Sequence, residues 1–257
     1  MSAALRQMPP VVGFLPLILL LVGWELAVDT GESPFFPPPT EWLADLREQH
    51  GDALLSNLAA TLRTVVAGIV LATVAGAVVG IAIGVSRIAR RSLSTVLEFL
   101  RTLPAPTIIP IALLAFGPGE RLKVFAVALT TVWPVLLNTA SAAGSIHPTL
   151  VDMTRTLRLS RLQYMRKVVL PSTVPSILLG VRVALPIAVI IAVLTEMIVS
   201  TPGIGRDLIA AQRDYRAAAA FGLLFVLGVF GYLLNAAFVI LEGLILRRWP
   251  IRDDAVG

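Results

Sequence analysis

Six stretches of the chain, at about residues 11–28, 57–85, 92–116, 122–141, 172–199 and 217–246, are apolar over lengths that approach or reach a bilayer's hydrocarbon core. With 56% hydrophobic and 14% charged residues among 257, too little polar surface exists to clothe a water-soluble globule of this size. The expected fold class is therefore an all-α integral membrane protein with six transmembrane helices, forming one transmembrane domain over residues 1–257 in contact with the lipid bilayer. A net charge of +5 would also suit nucleic acid. The basic residues, however, cluster at the ends of apolar runs, as membrane topology requires, and no nucleic-acid partner is implied. Cysteine is absent, which excludes disulfides and thiolate metal sites.

The first run, Val11 to Val28, reads as a retained helix: no small-residue cleavage site follows it, and Trp24 with Glu25 looks like an interface anchor. Four prolines, Pro34 and Pro37 to Pro39, then forbid a helix, after which Thr40 is expected to cap a short surface helix from Glu41. Within the second run Gly68, Ala72, Gly76, Gly80 and Gly84 recur every four residues. Such a stripe of small side chains lets another helix approach closely. The third run is broken by Pro104, Pro106 and Pro110, so backbone groups freed there need protein or a water-filled cavity around them. Gly117-Pro118-Gly119 and the TPGIG stretch at Thr201 read as turns, since neither joins a strand to a helix in a phosphate-binding unit.

Between the fourth and fifth runs lies TLVDMTRTLRLSRLQYMRKVVLP, Thr149 to Pro171, with five basic residues (Arg155, Arg158, Arg161, Arg166, Lys167) against one acid, Asp152. Its apolar residues fall at mixed three- and four-residue steps, which predicts short amphipathic helices. The stretch resembles the EAA loop of binding-protein-dependent ABC importer permeases: Glu-Ala-Ala, three residues, Gly, nine residues, Ile, one residue, Leu-Pro. Asp152-Met153-Thr154 stand at the first three positions, Arg158 at the Gly, Val168 at the Ile and Leu170-Pro171 at the end. The spacing fits without a gap, with Asp in place of Glu and Arg in place of Gly. The following SILLGVRVALPIAVIIAVLTEMIVSTPGIG is similar to the aliphatic-sulfonate, nitrate and taurine class of these type I permeases.

That resemblance implies a cytoplasmic coupling-helix loop between helices 4 and 5, seated in a groove of an ATPase subunit. The implied coupling residues are Asp152, Met153, Thr154, Leu157, Arg158, Ser160, Arg161, Tyr164, Leu170 and Pro171, with Leu157 and Tyr164 as the apolar anchors. It further implies a second permease copy, two ATP-binding subunits that hold the ATP and Mg²⁺, and an extracytoplasmic solute-binding protein. This chain itself is expected to be non-catalytic and to bind no cofactor. Its sequence carries no GxxxxGK[ST] or HExxH, and His50 and His147 stand alone in expected loops.

Charge counting gives the topology independently. On the N-terminal side stand 12 Lys and Arg: Arg6, Arg87, Arg90, Arg91, the five of the loop, Arg247, Arg248 and Arg252. The other side holds 6, at Arg47, Arg121, Lys123, Arg206, Arg213 and Arg216, which places both termini and the loop in the cytoplasm; the resemblance implies a bacterial inner membrane. Charges and breaks within spans are the pathway candidates: Arg101, Pro104, Pro106, Arg182 and Glu196, with Glu98 one turn before Arg101 as its possible pair. Snorkelling or a structural ion pair is the plain alternative for each charge. The expected function is alternating-access import of a small anionic or polar solute. The rival readings are a secondary transporter, which would carry an internal repeat not found between residues 1–128 and 129–257, and a non-transporting membrane scaffold.

Overall fold

The computed structural model describes residues 11–28, 35–49, 51–102 and 104–247; Arg6, His50, Arg248 and Arg252 lie outside the described residues. Among the described residues every regular element is helical. After a 3₁₀ turn at Val11–Phe14 come α1 (Leu15–Ala27), α2 (Pro39–Gln49), α3 (Gly51–Gly84), α4 (Arg87–Arg101), α5 (Ala105–Phe116), α6 (Glu120–Gly144), α7 (Pro148–Thr156) and α8 (Arg161–Tyr164). A π-helical turn, Met165–Val169, leads into α9 (Leu170–Val199), followed by α10 (Ile204–Arg213) and α11 (Ala217–Leu246).

Among the described residues four helical stretches are long and apolar enough to cross a membrane: Ala53–Gly84, Glu120–Gly144, Arg161–Val199 and Ala217–Leu246. Two of the six expected spans are built differently. Leu15–Ala27 is apolar but short, and the run at 92–116 divides into α4 and α5. The division falls where Pro104 takes an extended ψ of 120°, and a proline has no N–H with which to continue the helix before it. By contrast Pro110, Pro134, Pro175 and Pro186 stay inside helices.

By contacts the chain divides into two units, residues 1–63 with 192–240 and residues 64–191 with 241–257. In the first, Leu46, Ile204, Ala211, Ala219 and Leu223 form the buried core. Trp24, Trp42 and Phe221 meet with ring centroids 5.3–5.4 Å apart, so Trp24 is held by protein contacts. Thr40 does not cap α2. The helix starts two residues before Glu41, on Pro39, and Thr40 instead donates its hydroxyl (2.7 Å) and its N–H (3.1 Å) to the Glu25 carboxylate.

In the second unit the small-residue stripe of α3 lies along α6. A Cβ on Gly76 would stand 3.0 Å from Val135 Cβ, and one on Gly80 would stand 2.7 Å from the Leu136 carbonyl oxygen. Both backbones therefore touch at this crossing, with Ala72 sealed between them. Gly80→Leu should lower stability by about 2 kcal/mol or more, read as a fall in the thermal midpoint of the purified protein, because the side chain must displace backbone. An unchanged midpoint would contradict the seam.

Candidate functional site

The charged loop folds as two short helices with a tight reversal between them. α7 ends in a Schellman pattern: Leu159 N–H donates to the Thr154 carbonyl and Arg158 N–H to the Arg155 carbonyl, both at 3.0 Å. Arg158 occupies the left-handed position of that motif, with φ of 50°. α8 starts with a reciprocal cap. The Ser160 hydroxyl accepts from Gln163 N–H (3.3 Å) while the Gln163 side chain accepts from Ser160 N–H (2.9 Å). The loop's backbone polar groups are thus largely satisfied from within.

What remains outward is apolar and basic. Leu157 is 68% exposed and Met153 55%, and Leu150 and Leu162 are exposed beside them, with Arg155, Arg158 and Arg161 around. Asp152 faces solvent with an Arg155 contact at 3.5 Å, a pair worth little at such exposure. Thr154 is buried and donates its hydroxyl to the Val151 carbonyl. Tyr164 differs from Leu157: it packs inward against Ile81, Ala143 and Val169 and is not a free anchor. Leu170 and Pro171 lie in a continuous helix. Leu170 N–H reaches back five residues to the Met165 carbonyl, a π step immediately before the proline that has no N–H to give.

No contact between two pathway candidates is seen among the described residues. Arg101 ends α4, and its side chain falls outside what is described; Glu98, Pro104 and Pro106 are exposed. Arg182 Nη1 lies 3.8 Å from Glu242 Oε2 on α11. Glu196 is fully buried. Its carboxylate accepts from Gly205 N–H at 3.1 Å and lies 3.0–3.1 Å from the Thr61 hydroxyl, which in turn accepts from Ile204 N–H. A Cβ on Gly203 would collide with that carboxylate, and Gly203 has φ of +149°. Glu196 therefore caps the first turn of α10, where a negative charge meets unsatisfied N–H groups, and does not open to a passage.

Lys123, assigned to an outer loop from sequence, is only 2% exposed and pairs with Glu120 at 3.3 Å, while Thr64 donates to the same carboxylate. Two further polar ties escaped the sequence reading, Asn57 to Asp207 and Arg216 to Asp45 (3.0 Å). Glu242 had a legible signal, being the lone charge in the run 217–246, just as Arg182 is the lone base in 172–199.

The model of one protein family, the binding-protein-dependent transport system inner membrane component, matches residues 68–250. The chain belongs to that family. Over 222 residues it is 32% identical to the nitrate import permease protein NrtB of Leptolyngbya laminosa, covering 86% of this chain and 75% of that one. Against the taurine transport system permease protein TauC of Escherichia coli K12 it is 30% identical over 237 residues, 90% and 86% of the two chains. The bicarbonate transport system permease protein CmpB of Synechocystis is 28% identical over 250 residues, 93% and 88%. Among solved structures, an inward-facing MetNI methionine ABC transporter superposes with a TM-score of 0.65 at 21% identity, covering 79% of this chain and 99% of that one. That likeness shows a shared fold. The protein is an ABC importer permease of the nitrate, sulfonate and taurine class, a multi-pass membrane protein.

In this permease Arg158 carries the strain that a side chain meets at a left-handed position, of order 1 kcal/mol, partly offset by the greater unfolded-state freedom of a glycine there. Arg158→Gly should accordingly leave the thermal midpoint unchanged or slightly raised, within about 1 kcal/mol. A large destabilisation would mean that the guanidinium makes a contact of its own.

Proposed function

We propose that this permease works as a six-span protomer, paired with a second copy, whose loop Thr149 to Pro171 docks in a groove of a separate cytoplasmic ATPase subunit. ATP and Mg²⁺ are bound and used there, and the permease converts that subunit's movement into alternating access. An extracytoplasmic solute-binding protein delivers the solute. The observation that carries the docking is the outward-facing apolar set, Leu150, Met153, Leu157 and Leu162, on a basic helical loop whose own hydrogen bonds are already made. Apolar side chains ringed by polar ones are the anatomy of a protein interface.

Six spans are supported by length. The turn Val11–Phe14 with α1 rises about 28 Å, close to a hydrocarbon core, and α4 with α5 supply 27 helical residues on the two sides of the Pro104 break. With six crossings both termini and the basic loop share the cytoplasmic side, in keeping with the excess of Lys and Arg there. The relatives are named for nitrate, bicarbonate and taurine, which share a compact, negatively charged oxygen group. The solute proposed here is a small oxyanion of that kind.

Leu157→Asp tests the docking, since a carboxylate in a desolvated contact costs about 2–5 kcal/mol without a partner. The variant should insert, pair with its second copy, and fail to co-purify with the ATPase or hydrolyse ATP without uptake. Co-purification with the ATPase together with parental uptake would overturn the assignment.

A further inference from the structure

Two cavities lie one after the other along a single face of α6. The first, about 680 Å³, is lined by Leu100, Ile108, Thr130, Trp133, Leu137 and Asn138 of α4 to α6 and by Val183 and Ile187 of α9. The second, about 380 Å³, is polar. Ser141, Ser145 and His147 line it from the α6 side, and Ser172 and Ser176 from α9. Asn138 lines both, so it stands at their junction. From Thr130 to Ser145 is fifteen residues of helix, about 23 Å, or most of the hydrocarbon core. The second cavity ends at His147 and Leu150, where α7 begins.

The two faces of α6 have separate uses. Val135, Leu136, Thr139, Ala140 and Ala143 form the seam with α3, and the residues lining the cavities lie on the opposite side. Among the described lining residues only His147 is titratable; Arg182, on the same helix as Ser176 and Val183, meets Glu242. The described lining residues therefore offer hydroxyl and amide hydrogen-bonding groups.

We infer that these two cavities are the solute path of the permease, and that Asn138, with the hydroxyls of Ser141, Ser172 and Ser176, passes a small oxyanion by hydrogen bonds. This rests on the permease reading and adds the residues and the chemistry to it. Neutral donors suit a conduit, because a site must hold its solute weakly enough to release it. The walls of the first cavity are aromatic and aliphatic, and the serines of the second lead toward the loop that begins with α7. The side-chain amide of Asn138 donates to the Pro134 carbonyl at 2.8 Å, which fixes the rotamer at the junction.

The chain contains no cysteine, so single cysteines can be read in the intact transporter with its ATPase and binding protein in vesicles. The anionic thiol reagent 2-sulfonatoethyl methanethiosulfonate is the probe. Asn138→Cys and Ser176→Cys should react about tenfold or more faster than Val78→Cys, which is exposed on α3 away from the seam and faces lipid. Independently, Asn138→Asp should cut uptake of nitrate, bicarbonate or taurine, whichever the parent carries, by about tenfold or more through like-charge repulsion, while Asn138→Gln stays within about threefold. Cysteines at 138 and 176 as inert as the one at 78, or an Asn138→Asp variant transporting at the parental rate, would overturn the path. Because labelling needs no knowledge of the solute, a reactive pair of cysteines in a complex that moves none of the three oxyanions supports the path while contradicting the proposed solute class.

Discussion

The close crossing of α3 on α6 is the constraint on which the second unit depends. Glycine at positions 76, 80 and 84 removes the side chains that would hold the helices at the usual 8–10 Å, and backbone then touches backbone. In lipid no hydrophobic force drives helices together, so shape of this kind must do so. Once α6 is fixed along that seam its other face is fixed too, and that face carries Thr130, Trp133, Asn138, Ser141 and Ser145. The packing of one side of a helix thus decides what the other side can be used for.

Charge in the interior obeys a similar economy. Glu196, Lys123 and Arg182 all meet a partner within their own unit, Glu196 through Thr61 and Gly205, Lys123 through Glu120, Arg182 through Glu242. A lone ion within a span would cost several kcal/mol, so an ionisable residue there is first of all a joint. The loop from Thr149 to Pro171 follows the reverse logic. Its backbone is satisfied by the Schellman turn at Arg158 and the Ser160–Gln163 cap, and Leu157 and Met153 are left facing outward.

Local and periodic features were legible in the sequence. The four-residue glycine period names a helix face without reference to any other part of the chain, and proline chemistry places the break at Pro104. Tertiary pairing was not legible. Thr40 has the residue type of a cap, yet the Glu25 carboxylate, fifteen residues away, captures its hydroxyl. Glu196 lies near the end of an apolar run and so looked like the mouth of a passage, but the turn through Gly203 folds α10 back over it. Tyr164 looked like an outward aromatic until the inward turn of α8 set it against Ile81 and Val169. The passage along α6 escaped for a different reason: serine, threonine and asparagine in a helix give no periodic signal strong enough to separate a cavity face from ordinary back-bonding to the preceding turn.

The central claim is that the exposed apolar residues of this loop are covered by a separate ATPase. A single cysteine at Leu157, in a chain that has none, measures this directly through its rate of modification by a water-soluble maleimide with the ATPase absent and then bound. The account predicts rapid labelling of the permease alone and protection of about tenfold or more in the complex, as for a residue buried in an interface core. Equal labelling rates in the two preparations, with the ATPase demonstrably bound, would contradict it.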